Sequence, residues 1–322
     1  LPAGAGNYVP INGAGSTWSA NAIAAWASNV TQDGIQVNYA PTGSSDGRNQ
    51  FRAGTVDFGV SEIPYGLMDN GQRDYPPSRH YAYMPIVAGG TSLMYNLKIG
   101  GRRVTNLRLS GDTITKIFTG VITNWSDPAI HADNPGLTLP ARQIVPVVRS
   151  DGSGTTAQFT QWMSKRYQSL WNAYCGKVGV QSNPCGFTSE YPVAGNSAFI
   201  TQNGSLGVAG YVAQAQNEGT ITYVEYSYAL NSNFPVVKLL NSAGYYVEPT
   251  APAVAVALLQ AQINSNPAAP DYLTQILDNV YTNPDPRTYP MSSYSYMIIP
   301  TALEKGLTTI KGNTLGAFAH YF

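Results

Sequence analysis

Charge, histidine and cysteine are all scarce in this chain, and each scarcity removes a class of function. Only 11% of the 322 residues are charged, and 18 basic residues cancel 18 acidic ones without forming a block. Nucleic acid asks for a basic face and an anionic membrane surface for a polybasic patch, so neither partner fits. The three histidines, His80, His131 and His320, belong to no His-Glu-x-x-His set. No Asp cluster has metal spacing either, so no metal site and no cofactor is assigned. No run approaches the ~20 apolar residues of a membrane helix, and no direct membrane span is expected. The opening Leu1-Pro-Ala-Gly4 has neither a basic n-region nor an apolar h-region, so any signal peptide is expected to have been removed. The only two cysteines, Cys175 and Cys185, stand ten positions apart in a loop-like segment with Gly, Asn and Pro. A disulfide there suits an oxidising compartment; two unrelated thiols are the plainer alternative.

Hydrophobic residues make up 43% of the chain, enough for real cores, and the length makes two domains the default. Tyrosine (22) and glycine (32) are abundant, a composition that reads as a secreted protein with a Tyr- and Asn-rich surface. Strand-like and helix-like runs alternate. Helices are expected over residues 19–29, 48–53, 112–118, 155–166 and 308–322, and strands over 35–39, 55–60, 84–95, 144–148 and 294–299. Alternation with short loops argues an α/β fold with largely parallel sheets.

Three Gly/Ser/Thr segments carry the chemistry: Gly13-Ala-Gly-Ser-Thr-Trp18, Gly43-Ser-Ser-Asp-Gly47 and Asp151-Gly-Ser-Gly-Thr-Thr156, the last introduced by Arg149. Each lies between a strand pattern and a helix pattern. A helix start offers free backbone N–H groups and the positive end of the macrodipole, a natural seat for an anion. Small hydroxyl residues add donors, and glycines let the backbone come close. In parallel sheets such loops fall beyond the carboxyl ends of the strands, where ligands bind. Three such starts and one arginine describe a pocket for a small oxyanion. Taken singly each has a bland reading: a tight turn, a solvated strand-end Glu62, a structural Arg149–Asp151 pair.

These segments, with Val56-Asp-Phe-Gly-Val-Ser61, Ile117-Phe-Thr-Gly120, Asn124-Trp-Ser-Asp127, Asn134-Pro-Gly-Leu137 and Tyr223-Val-Glu-Tyr-Ser-Tyr-Ala229, resemble in order the phosphate-binding proteins of bacterial ABC importers. The resemblance runs from Gly13 to about Thr301. It implies an α/β, two-lobed periplasmic-binding-protein (type II) fold, each lobe a mostly parallel sheet flanked by helices. Lobe I is expected over 1–88 plus 289–322 and lobe II over 89–288, with hinge crossovers near 84–95 and 288–297. It also implies a monomer outside the cytoplasmic membrane, secreted or held in the envelope, that closes on inorganic phosphate and delivers it to a membrane ABC permease. It implies no enzyme activity.

Carried over residue by residue, the resemblance makes Thr17 (hydroxyl and N–H), the N–H of Trp18, and Ser44 ligands of phosphate on one lobe. On the other lobe stand Arg149 as a bidentate clamp and Ser153, Gly154 and Thr155 at a helix start, with Asp151 holding the arginine. Arg149 is then the only full positive charge in the site. Glu62 stands where the family normally carries Asp, as acceptor for the proton of HPO₄²⁻ or H₂PO₄⁻. The family also continues past the last helix, whereas this chain ends at His320-Tyr-Phe322, so truncation is expected. Two alternatives remain open. One is the same fold serving another oxyanion or acting as a surface adhesin. The other is a hydrolase: Gly43-Ser-Ser45-Asp-Gly47 formally fits a Gly-x-Ser-x-Gly elbow, with Ser45 as nucleophile and His320 or His131 as base.

Overall fold

The computed structural model describes residues 7–193, 195, 197–304 and 306–322. Strand β1 (Ile11–Gly15) turns through Ser16, Thr17 and Trp18 into helix α1 (Ala20–Val30). Strand β2 (Val37–Ala40) leads into helix α2 (Ser44–Ala53), followed by strand β3 (Phe58–Ser61). Helix α2 starts four residues earlier than the pattern from Arg48 suggests, because Gly43 makes the turn itself. Its φ of 103° is a conformation that side chains with a Cβ rarely adopt, so Ser44 is already helical.

The later elements are strand β4 (Tyr81–Tyr95), strand β5 (Val145–Arg149), helix α3 (Gly154–Arg166), strand β6 (Ile200–Gln202), helix α4 (Gly204–Val212), strand β7 (Thr220–Glu225), strand β8 (Ser292–Pro300) and helix α5 (Thr309–Ala319). Eight strands form one sheet in the order β6-β5-β7-β4-β8-β3-β1-β2. At one end β1 pairs in parallel with β2 and β3; at the other β5 pairs in parallel with β6 and β7. Between these triplets run β4 and β8, antiparallel to their neighbours. The expected separate sheets are therefore continuous. Strand β4 makes them so: residues 81–90 pair with β8, and 91–95 pair with β7.

Each end of the sheet has its own core. Ile11, Ile23, Phe58, Val60, Met297 and Phe318 pack at one end. Phe118, Trp125, Phe159, Trp162, Trp171 and Tyr223 pack at the other. Every residue of β3 is buried, as expected where helices cover both faces of a parallel strand. Truncating one of these buried aromatics to Ala costs roughly 3–5 kcal/mol. Buried clusters at both ends, threaded by shared strands, make this a two-lobed α/β protein. Cys175 and Cys185 are joined in a disulfide inside the second core, a crosslink that contributes about 3 kcal/mol, less than one closing a longer loop would.

Candidate functional site

The expected oxyanion loops meet where the two lobes face each other. Strand β5 ends on Arg149, which is almost wholly buried. Its Nε donates to Asp151 Oδ1 at 2.6 Å, and its Nη2 donates to Asp151 Oδ2. The same Oδ1 accepts the N–H of Gly204 at 3.0 Å, the first residue of α4. Burial alone would raise the Asp151 carboxyl, but the Arg149 guanidinium outweighs it and holds it below its ordinary value. The arginine is thus clamped in plane, with Nη1 left to reach Ser205 Oγ at 3.4 Å.

Helix α3 starts just beyond. Ser153 caps it by accepting the N–H of Thr156 at 3.0 Å. The N–H groups of Gly154 and Thr155 precede the first intrahelical bond and remain available at the positive end of the dipole. Opposite lie Ser44, the first residue of α2, and Glu62, one residue beyond β3. A Cβ placed on Gly154 would overlap Ser44 Oγ and lie 2.6 Å from Glu62 Oε1, so only glycine lets the α3 start approach this closely. The hydroxyls of Ser44, Ser45 and Thr155 are buried and have no partner among the described residues. An unpaired buried hydroxyl costs about 1–3 kcal/mol, so their concentration at one point marks a polar ligand site.

Glu62 is only 6% exposed, which rules out the solvated strand-end reading. Its Oε1 accepts the Ser16 hydroxyl at 2.5 Å and its Oε2 the Ser295 hydroxyl at 3.0 Å. Burial pushes its carboxyl up to about 7, against the pull of those two hydroxyls and of Arg149 and Arg48. The lobes also touch directly around the cluster. Thr17 Oγ1 lies 2.6 Å from Ser205 Oγ, Tyr228 donates to the Thr17 carbonyl, and the Ser45 N–H donates to the Gly152 carbonyl at 3.1 Å. Farther out, an Asn70-Gly71 hairpin turn presents Asp69, which accepts the Ser189 N–H at 2.7 Å. The Ser189 carbonyl in turn takes the N–H of Ser153 at 2.8 Å. A cavity of about 520 Å³ opens beside the cluster and shares Thr17 and Ser205 with it, while Glu62 and Arg149 do not line it.

The model of the PBP superfamily domain matches residues 2–322. The chain is 34% identical over 258 residues to the phosphate-binding protein PstS of Pasteurella multocida, covering 79% of this chain and 67% of that relative. It is 30% identical over 298 residues to PstS 3 of Mycobacterium tuberculosis, covering 91% and 74%. The chain belongs to the PstS family. Across the first relatives the match spans 63–67% of their own length. In fold it is similar to a high-affinity periplasmic phosphate-binding protein, PfluDING, solved with phosphate (TM-score 0.66, 18% identity, covering 96% of this chain and 84% of that one). It is likewise similar to a phosphate-binding protein from Stenotrophomonas maltophilia (TM-score 0.65, 17% identity, covering 96% and 83%).

Set in this PstS-family fold, the expected site residues Thr17, Ser44, Glu62, Arg149, Ser153, Gly154 and Thr155 cluster, with Asp151 on the arginine. Three details differ from expectation. The Trp18 N–H, expected to face the anion, donates to Ser16 Oγ at 3.1 Å, because Ser16 bridges the tight turn to Glu62. The Thr17 hydroxyl is engaged by Ser205 on α4, a helix start with no Gly-Ser-Gly signature of its own. Arg149 is also not the only cation: Arg48 is 4% exposed, donates to Ser61 Oγ at 3.3 Å and to Asp74 Oδ2 at 3.1 Å, and acts on Glu62. Arg48 was visible in the α2 pattern, since Ser44, Gly47, Arg48 and Phe51 are the buried face at helical spacing. For the hydrolase alternative, Ser45 Oγ has no hydrogen-bond partner, so neither His131 nor His320 activates it. Among the described residues no group of His, Cys, Asp and Glu is placed to hold a metal.

Proposed function

We propose that this PstS-family chain binds inorganic phosphate between its lobes, outside the cytoplasmic membrane, and hands it to the membrane permease of an ABC importer. The observation that carries the reading is the cluster around Gly154: unpartnered Ser44 and Thr155 hydroxyls, the free end of α3, clamped Arg149 and the acceptor Glu62. Relatives and fold neighbours named as phosphate-binding proteins support it. No helix of the described residues is long and apolar enough to cross a membrane.

Lobe I, in this reading, is the described chain up to Gly90 with the chain from β8 onward, and lobe II is the segment between. The change of partner along β4 between Gly90 and Thr91 supports a boundary there. The protein works as a monomer. Phosphate bonded to Ser44 and Glu62 on one side and to Arg149 and the α3 start on the other favours the closed state, because only that state makes both sets of contacts. Charge-assisted bonds contribute roughly 1.5–3 kcal/mol each. About five of them, ~15 kcal/mol at the strong end, exceed the low end of the ~4–15 kcal/mol cost of association by the ~8 kcal/mol or more that micromolar affinity requires. Glu62 supplies selectivity, since an ionised acceptor bonds the proton of phosphate but repels sulfate, which has none.

Titration calorimetry with phosphate, arsenate and sulfate tests the reading. Phosphate and arsenate are expected to bind and sulfate to lag by several orders of magnitude at pH 8. Glu62→Gln is expected to improve sulfate binding more than it alters phosphate binding, and Glu62→Asp to be tolerated. Equal affinity for sulfate and phosphate in the unmodified protein would refute Glu62 as the acceptor.

A further inference from the structure

We infer that Ser295 is a specificity-determining positioning residue: its hydroxyl ties Oε2 of Glu62 to the second crossover strand and leaves Oε1 as the edge presented to the anion. The inference rests on the anion-binding reading above and adds to it a residue outside the Gly/Ser/Thr loops. Ser295 lies on β8 and is fully buried. Its Oγ stands 3.0 Å from Glu62 Oε2 and 3.1 Å from Ser19 Oγ. The β8–β4 ladder slips by one residue between Ser295 and Tyr296, where Pro85, lacking an N–H, sits opposite Tyr296. A slip of this kind re-aims the neighbouring side chains.

The two carboxylate oxygens are thereby distinguished. Oε2 is anchored to β8, whereas Oε1 takes one hydroxyl, from Ser16, and is the atom that faces Gly154 at the start of α3. A carboxylate has about four lone-pair sites, so Oε1 retains one for a proton carried by the ligand. Glutamate has an extra rotatable bond, and an arm held at one oxygen only is free to swing away from the anion.

The anchor also bears on charge. Arg149 and Arg48 face Glu62 as cations, and Tyr39 and Tyr228 as phenols kept neutral by burial. Donation from Ser16 and Ser295 favours the ionised carboxylate while burial opposes it. Without Ser295 the carboxyl moves further up, and a protonated Glu62 donates to sulfate as readily as to phosphate. Ser295 therefore acts on discrimination more than on affinity.

Phosphate and sulfate titrations of unmodified protein, S295A and S293A at pH 6.5, 7.5 and 9 test this. Ser293 is the internal control, since it is buried on the same strand with no hydrogen-bond partner. S295A is expected to lose at least tenfold of the phosphate-over-sulfate preference at pH 7.5 and to regain part of it at pH 9, while S293A keeps the unmodified profile. If S295A does not fold, S295C, with similar volume and a weaker donor, is expected to show a smaller loss with the same recovery at high pH. A preference in the folded variant that matches unmodified protein at every pH overturns the role of Ser295 and leaves phosphate binding intact. Unmodified protein that binds neither anion overturns the anion site itself, and this inference with it.

Discussion

On one wall of the cleft Arg149 is matched by Asp151 through two parallel bonds, whereas on the other Glu62 is met only by hydroxyls. The first wall is locally neutral and rigid: its cation is compensated two residues away, and Gly204 holds the carboxylate from behind. The second wall keeps a carboxylate whose charge is opposed by burial and supported only partly by Arg149 and Arg48. The contrast separates two tasks. On the proposed reading, the arginine wall and the free end of α3 attract any small oxyanion, while the glutamate wall rejects one that brings no proton. Net charge has little part in either, which is consistent with a chain carrying 18 basic and 18 acidic residues.

The strongest way to break this division is Arg149→Ala. It removes the clamp and leaves Asp151 buried without its partner, so phosphate affinity is expected to fall at least a hundredfold, about 2.7 kcal/mol. Calorimetry decides it; a loss below threefold would make the pair structural only. Gly154→Ala attacks the line where the walls meet. Its Cβ would overlap Ser44 Oγ and crowd Glu62 Oε1, so affinity is expected to drop roughly tenfold or more, with helix α3 preserved in circular dichroism. Affinity within twofold of the unmodified protein would show that the walls do not approach each other as closely as described.

The effect that leaves the anion aside is on stability against pH. Burial raises both Glu62 and Glu225 from 4.5 to about 7, so between those values the folded chain holds more protons than the unfolded one. Stability of the ligand-free protein is then greatest near pH 4.5–5 and falls as pH rises through 7. Asp151 is shifted the other way and contributes a loss only in stronger acid. Calorimetric Tm is expected to decrease from pH 5 to pH 8, and Glu225→Gln to flatten part of that slope. A Tm that rises over this interval contradicts the glutamate account.

Much of this was legible in the order of residues. Arg149 and Asp151 are two positions apart at a strand end, and Ser153 is an N-cap followed by a helical pattern, so local geometry alone brings them together. The continuous buried runs of β3 and β5 and the apolar spacing of α1 are likewise readable, as a strand covered on both faces and as a period of 3.6. What was not legible depends on long-range packing. Ser205 meets Thr17 across 188 residues and Ser295 meets Glu62 across 233, and neither serine sits in a motif. Arg48 belongs to the readable buried face of α2, yet an arginine within such a face is easily passed over as solvated.

The sequence by itself determined that the chain is α/β, that Gly/Ser/Thr loops precede its helices, and that Arg149 and Asp151 stand two positions apart at a strand end. These follow from residue type and short spacing, because capping, turn chemistry and strand or helix period act over a few residues. Only the tertiary structure decided that one continuous sheet links both halves, that the Trp18 N–H is spent on Ser16, that Arg48 shares the site, and that Glu62 is buried between Ser16 and Ser295 with its carboxyl near 7. Desolvation and the choice of hydrogen-bond partner depend on which distant side chains arrive at the same point, and chain closure alone brings them there.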